Sequence, residues 1–133
     1  MHPLSFYTDP KGFPRYESTD DRWVPVGVWF MMELRNSPYQ CLDLLAIVDD
    51  VVSGREARTQ WEGEAFDVVI TAARVSVVNT ILDNQRGEYA LDEVRAAAED
   101  YWRYLSGSPR VAADLKDWEK TWSRTHPYRG RLF

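Results

Sequence analysis

Four pairs of adjacent carboxylates are the first candidates for acid–base chemistry in this chain. They are Asp20-Asp21, Asp49-Asp50, Asp92-Glu93 and Glu99-Asp100. A glycosidase-type reaction needs two carboxylates that face one substrate. Neighbours on a helix point about 100° apart, so adjacent acids are typical of solvated helix faces and caps instead. We assign no catalytic role to these pairs.

Metal and nucleophilic chemistry have as little support in the sequence. His2 and His126 lie near opposite ends of the chain, whereas a zinc site needs three or four converging ligands. Cys41 is the single cysteine, and its leucine neighbours indicate a buried apolar residue. The seven glycines form neither a nucleophile elbow nor a phosphate-binding loop. The sequence therefore predicts no catalytic residue, no metal and no cofactor, and a protein that is not an enzyme.

The segment Trp61-Glu62-Gly63-Glu64 is the most informative local cluster, because an aromatic residue and two acids surround a glycine in a predicted strand. A glycine there indicates a bulge or a close backbone approach. The cluster could be a partner-docking rim, or Trp61 could pack under a helix while the acids discourage edge-to-edge aggregation. Asp83 and Glu88 share its charge and lie near predicted turns. The candidate partner-binding residues are Trp61, Glu62, Glu64, Asp83 and Glu88.

The first half of the chain supplies a hairpin and two helices that could position these residues. Asp9-Pro10-Lys11-Gly12 predicts the turn of a hairpin over residues 5–18. The apolar run from Val26 to Leu34 predicts a helix, and Ser37 is the expected N-cap of the next one, which ends at Gly54.

The second half reads as strands followed by two helices. Residues 59–71 and 74–83 are predicted as two paired strands with apolar residues on both faces, hence central and covered on each side. A short third strand at residues 88–91 precedes a helix capped by Asp92. A last helix carries Trp118 and Trp122, and the residues from Tyr128 to Phe133 are expected to form a loose tail.

The predicted fold class is therefore α+β, with a small antiparallel sheet of the hairpin or meander type packed with three to four helices. Residues 1–107 form a single α+β domain. Residues 108–133 form a C-terminal helix and basic tail that pack on this domain or extend from it. A length of 133 residues suits one core of this size.

Charge is distributed unevenly along the chain. Residues 1–107 contain ten Lys and Arg against eighteen Asp and Glu, whereas residues 108–133 contain six against three. An acidic body repels phosphate backbones, which argues against nucleic-acid binding by the body, leaves it open for the basic tail, and favours a basic protein partner. Neither a secretory signal nor a run of about 20 apolar residues is present, so we expect a cytoplasmic protein without membrane attachment.

Several spaced patterns in residues 5–106 resemble those of known bacterial proteins. They include Phe6-Tyr7-x-Asp9-x-x-Gly12-x-Pro14-Arg15, Val26-Gly27-Val28-Trp29-Phe30-x-x-Glu33-Leu34, Leu44-Leu45-x-x-Val48-x-x-Val51-x-Ser53-Gly54, Trp61-Glu62-Gly63, Val75-x-Val77-x-Asn79 and Leu91-Asp92-Glu93-Val94. In this order they resemble the uncharacterised YacL-like family and the CdiI-type immunity proteins of contact-dependent inhibition systems. The segment after Gly107 departs from that pattern.

The resemblance implies a non-enzymatic, protein-binding bacterial immunity protein that neutralises a cognate toxin, for instance a basic nuclease, by occluding it. Two other classes stay open. One is a small intracellular enzyme or ligand-binding protein with an aromatic pocket between the sheet and the Trp118/Trp122 helix. The other is a regulatory module whose basic tail docks on nucleic acid. The oligomeric state is open as well.

Overall fold

A computed structural model describes residues 2–133 and confirms the predicted α+β class. These residues form two antiparallel sheets, of two and four strands, and four α-helices. The elements are β1 (Leu4–Thr8), β2 (Pro14–Ser18), α1 (Val24–Trp29), α2 (Pro38–Val52), β3 (Arg58–Glu62), β4 (Phe66–Thr71), β5 (Val75–Asn79), β6 (Arg86–Tyr89), α3 (Leu91–Leu105) and α4 (Val111–Trp122).

The N-terminal hairpin has the predicted turn. β1 pairs with β2, and Gly12 takes a φ of +88°, the left-handed region that glycine enters without steric cost. The Asp9 carboxylate accepts hydrogen bonds from the Lys11 and Phe13 amides, both at 2.9 Å. The hairpin packs on α1 and α3.

The predicted helix at residues 26–34 is confirmed and has an unusual end. α1 follows a 3₁₀ turn at Asp21–Trp23 and continues into a π-helical turn, Phe30–Leu34. The Arg35 amide donates to the Phe30 carbonyl at 3.0 Å, the i→i−5 bond of such a turn. Arg35 then reverses the chain with φ 50° and ψ −135°.

α2 begins and ends where the sequence indicates. The Ser37 side chain accepts from the Gln40 amide at 3.2 Å, and Pro38 is the first helical residue. Gly54 closes the helix with a φ of +78°. α2 is the central helix, because α3, α4 and strands β3 and β4 all pack against it.

The four-stranded sheet is a meander in the order β3-β4-β5-β6. The prediction of one strand over residues 59–71 is wrong, because the chain turns at residues 63–65 and forms two strands, with Trp61 opposite Val68. The turn at Ala72-Ala73 and the short strand before α3 are confirmed, although β6 lies at Arg86–Tyr89.

Only one face of this sheet is covered, which corrects the prediction that β4 and β5 are covered on both. Phe66, Val68 and Ile70 are fully buried under α1 and α2, as are Val75 and Val77. Val69 and Val78 on the opposite face are only half-buried, because no helix lies over them and polar neighbours share their face. β4 and β5 are therefore the two central strands of the sheet, but each is covered on only one face.

Two further predictions, on the start of α3 and on the C-terminal residues, are wrong. α3 begins at Leu91 with Ala90 as its N-cap, so Asp92 lies in the first turn and does not cap the helix. The C-terminal residues are not a loose tail: Tyr128 is buried, and Leu132 and Phe133 pack against the core. Ion pairs join this segment to α2 and α4, and an aromatic contact and a hydrogen bond join it to α3.

Candidate functional site

A groove of about 840 Å³ lies at the end of the sheet where the β3–β4 turn meets the π-helical turn. We call it the acidic groove. Its lining includes three of the five predicted partner-binding residues, Trp61, Glu62 and Glu64. Two apolar side chains, Met32 and Ile81, also line it and are 41% and 70% exposed.

Glu33 organises the wall of the acidic groove. One carboxylate oxygen accepts from the Trp61 indole N–H at 2.8 Å, and the other accepts from the amides of Ala65 at 2.8 Å and Phe66 at 3.2 Å. A carboxylate with three donors is held in one position, and it satisfies backbone groups that the turn leaves without partners. Glu33 therefore ties the π-helical turn to the β3–β4 turn.

Gly63 allows this close approach. A Cβ at Gly63 would overlap Glu33 Oε1, so any larger residue would displace the carboxylate. The Gly63 amide donates to the Phe66 carbonyl at 2.9 Å, while the Phe66 amide donates to Glu33. The sequence prediction of a close backbone approach at this glycine is confirmed.

A second polar residue, Asn79, shapes the neighbouring loop. It is 3% exposed, and its side-chain oxygen accepts from the Ile81 and Leu82 amides, both at 2.9 Å. The Thr80 amide donates to the Ala65 carbonyl at 2.7 Å, which joins this loop to the β3–β4 turn. The loop thus holds Ile81 and Leu82 out in solvent beside the acidic groove.

The acids at this end of the molecule are open to a partner. Glu62 and Glu64 are exposed, and neither forms an ion pair within residues 2–133. Asp83 is also exposed and unpaired there, and it lies in the same loop as Ile81, outside the groove lining. Trp61 is only 9% exposed, and its ring packs edge-on against Trp29 at 6.0 Å between centroids. Trp61 therefore supports the groove from below.

Glu88 lies apart from the other four predicted residues. It is on β6, at the opposite edge of the sheet from β3, and pairs with Ser76 in register. Its carboxylate contacts Arg74 at 3.4 Å, and its carbonyl accepts from the Arg22 guanidinium at 3.0 Å. The structure brings Trp61, Glu62, Glu64 and Asp83 to one end of the sheet and leaves Glu88 elsewhere.

Sequence reasoning missed two residues that build the site, Glu33 and Asn79. Both occur in the spaced patterns quoted above, but their roles depend on partners far along the chain. Glu33 reaches residues 28 to 33 positions away. A lone acid in an apolar helix, and an Asn that ends an apolar strand, are the signals that could have drawn attention to them.

The Trp118/Trp122 helix does not face the sheet. α4 packs on α2, where the Trp118 indole donates to Asp43 at 2.7 Å. Burial raises the pKa of Asp43, while hydrogen bonds from Trp118 and Trp122 lower it. Trp122 is 55% exposed at the helix end. The alternative of an aromatic pocket between the sheet and this helix therefore lacks one of its walls.

The basic tail forms ion pairs with the acidic body and with α4. Arg131 contacts Asp49 at 2.7 Å, and Arg129 contacts Glu119 at 2.7 Å. Hydrogen bonds from Arg129 and from the His126 amide lower the pKa of Glu119 to about 2. Much of the positive charge in this segment is thus matched within the chain.

Three further findings concern metal binding, membrane spans and similarity to known proteins. Within residues 2–133, no group of three or more His, Cys, Asp or Glu is arranged to hold a metal ion. No helix in that range combines the length and apolar character needed to span a bilayer. The chain matches no protein-family model, no curated protein and no solved structure.

Proposed function

We propose that this chain is a non-enzymatic immunity protein that neutralises a basic protein toxin by docking it on the acidic groove. The observation that carries the proposal is that one groove exposes both the acids Glu62 and Glu64, which have no ion-pair partner within residues 2–133, and the apolar side chains of Met32 and Ile81. The choice of a toxin as the partner follows the resemblance to CdiI-type immunity proteins.

The physical properties of the groove support binding over catalysis. The Glu33 carboxylate already accepts three hydrogen bonds, so it is occupied in holding the wall. A wall fixed in advance lowers the entropy cost of association. Exposed acids accelerate encounter with a basic partner, whereas apolar contacts slow its release. A toxin covered in this way loses access to its substrate.

The test uses the product of the gene immediately upstream. We expect this product to arrest growth when expressed alone, and co-expression of the chain to restore growth and yield a stable complex. Absence of both relief and complex would overturn the proposed function for that partner.

A charge-reversed variant tests the docking site. Glu62→Lys with Glu64→Lys should slow association with the toxin at low salt by about tenfold or more, because steering by charge is lost. The matched control is Glu17→Lys with Glu56→Lys, which changes net charge equally at exposed positions outside the groove. Equal association rates for the two variants, measured by stopped flow, would reject the groove as the contact surface.

A further inference from the structure

A second cleft, of about 420 Å³, adjoins the acidic groove. We call it the arginine cleft, because its lining includes Arg15, Arg35 and Arg110 and contains neither Asp nor Glu. It shares Arg35 and Ser37 with the acidic groove, so the two depressions adjoin at the end of the π-helical turn. In a chain with a net charge of −5, the cleft is a local positive region.

The guanidinium groups of the arginine cleft keep donors available for a ligand. Arg15 contacts Asp9 at 3.1 Å and Arg110 contacts Asp114 at 4.0 Å, yet their side chains are 53% and 72% exposed. Arg35 has no carboxylate partner within residues 2–133, and its Nε donates to the Met32 carbonyl at 2.7 Å. A guanidinium has five N–H donors, so each arginine can still bind an added carboxylate.

Apolar surface lies between these charges. Phe13 is 53% exposed in the cleft, and the Arg15 guanidinium lies 5.9 Å from its ring centroid. Met31 and Pro14 complete the apolar part of the lining. An occupant that combines carboxylates with an apolar side chain would satisfy both kinds of surface.

The Arg35 backbone is held in a strained conformation at the junction of the two depressions. Its φ of 50° with ψ of −135° is unfavourable for a residue with a Cβ. The Tyr101 hydroxyl donates to the Arg35 carbonyl at 2.5 Å, and the Arg35 amide donates to Phe30, which together fix this conformation. Backbone strain of this kind clusters at active sites, ligand clamps and switch regions.

We propose that the arginine cleft binds an acidic peptide segment that carries an apolar side chain. Together with the acidic groove it forms a bipolar trough, in which the basic part of a partner contacts Glu62 and Glu64 and an acidic part contacts the three arginines. The inference rests on the proposed function in one respect, that the occupant is part of a protein partner. If the inference holds, this chain selects its partner by the order of basic and acidic parts along the partner, and not by net charge alone.

The experiment titrates the isolated chain with a synthetic acidic peptide of alternating Glu and Leu and follows backbone amide signals by NMR. We expect shifts centred on Phe13, Arg35 and Ser37 that weaken as salt is raised. The same peptide with Gln in place of Glu should leave these signals unchanged, because it lacks the carboxylates. Sodium acetate at equal carboxylate concentration distinguishes a peptide site from a small-anion site.

Two matched variants locate the binding. Arg15→Gln with Arg110→Gln should weaken the peptide about tenfold, whereas Arg58→Gln with Arg86→Gln, exposed on the open face of the sheet, should not. Thermal unfolding checks that both variants remain folded. The inference is overturned by equal binding of the Gln peptide, by equal shifts with acetate, by equal weakening in both variants, or by no shifts at millimolar peptide.

The two proposals fail separately. Glu62→Lys with Glu64→Lys should impair toxin association and leave the acidic peptide bound, since these side chains lie outside the arginine cleft. In the unsubstituted chain, binding of the acidic peptide without binding of the toxin would count against the proposed function alone. If only the Glu variant loses toxin binding, and the unsubstituted chain does not bind the acidic peptide, the result would count against the arginine cleft alone.

Discussion

The C-terminal segment and the acidic groove use charged side chains in opposite ways. In the C-terminal segment, Arg131 folds back onto Asp49 at 2.7 Å, so opposite charges meet within the chain. At the groove, Glu62 and Glu64 form no ion pair with any of the described residues. The difference shows that the acidity of a sequence has separate uses: part of it anchors the basic tail, and part of it stays exposed to solvent and available to a partner.

Each region nevertheless contains a polar side chain that bonds to residues far away in the sequence. His126 contacts the Leu42 carbonyl through Nε2 at 2.9 Å and the Tyr128 amide through Nδ1 at 3.1 Å. Glu33 holds the β3–β4 turn in the same manner. The C-terminal segment packs in the core, whereas the β3–β4 turn lies at the surface. Three measurements test whether both regions depend on such side chains.

The largest effect is expected at Tyr128. Its side chain is 2% exposed, and its hydroxyl donates to Glu99 at 2.7 Å. Tyr128→Ala should lower the free energy of unfolding by about 4 kcal/mol, as other buried aromatic truncations do. Tyr7→Ala, at a residue 44% exposed, should cost less than about 1 kcal/mol. Urea unfolding measures both, and equal small effects would mean that the tail does not belong to the core.

The next effect is expected at Glu33. Glu33→Ala leaves the Trp61 indole and the Ala65 and Phe66 amides without their acceptor, at a cost of about 3 kcal/mol in the free energy of unfolding. Glu33→Gln should cost less, because the amide oxygen can still accept. Glu62→Ala, on the exposed rim, should change stability by less than about 0.5 kcal/mol. An equally mild Glu33→Ala would show that the groove wall does not need this carboxylate.

The smallest effect is a pH dependence centred on His126. Burial, the main cause, lowers the pKa of His126, and its contacts suit a neutral ring with Nε2 as donor and Nδ1 as acceptor. The unfolded chain therefore takes up a proton near its ordinary pKa of about 6.5, while the folded chain does so only at lower pH. The stabilisation is present above about pH 6.5 and is lost as pH falls through the folded pKa.

His126→Gln should flatten this part of the stability curve, measured by urea unfolding in steps from about pH 7.5 to about pH 5. His2→Gln measures the share of the slope that comes from the other histidine, whose ring contacts Asp100 at 2.6 Å. An unchanged slope in the His126 variant would assign the pH dependence to other groups.

The parts of the fold that could be predicted from sequence are those fixed by residues close together in the chain. The Asp9-Pro10-Lys11-Gly12 turn, the Ser37 cap and the Gly54 stop each need only a few residues, and all three appear as expected. The extra turn at residues 63–65 was missed because its bonding partner, Glu33, lies about thirty positions earlier. The open face of the sheet was missed because alternation cannot tell a covered strand from a half-covered one.

In the candidate site, too, local sequence features were predictable and long-range placement was not. Trp61, Glu62, Glu64 and Asp83 were found from their types and their closeness to turns, and they lie at one end of the sheet. Glu88 shares those properties but lies on the far edge strand, since strand order separates it from β3. The arginine cleft joins β2, the π-helical turn and the start of α4, three segments that no local pattern links.

By itself, the sequence determined the α+β class, the hairpin, the helix boundaries at Ser37 and Gly54, and the excess of acid in the body, because local backbone preferences and residue counts act without reference to distant contacts. Tertiary structure alone decided which acids pair with the tail and which remain exposed, and it placed a cluster of arginines beside a cluster of glutamates. Those outcomes depend on hydrogen bonds and packing between residues far apart in the chain, whose geometry exists only once the chain is folded.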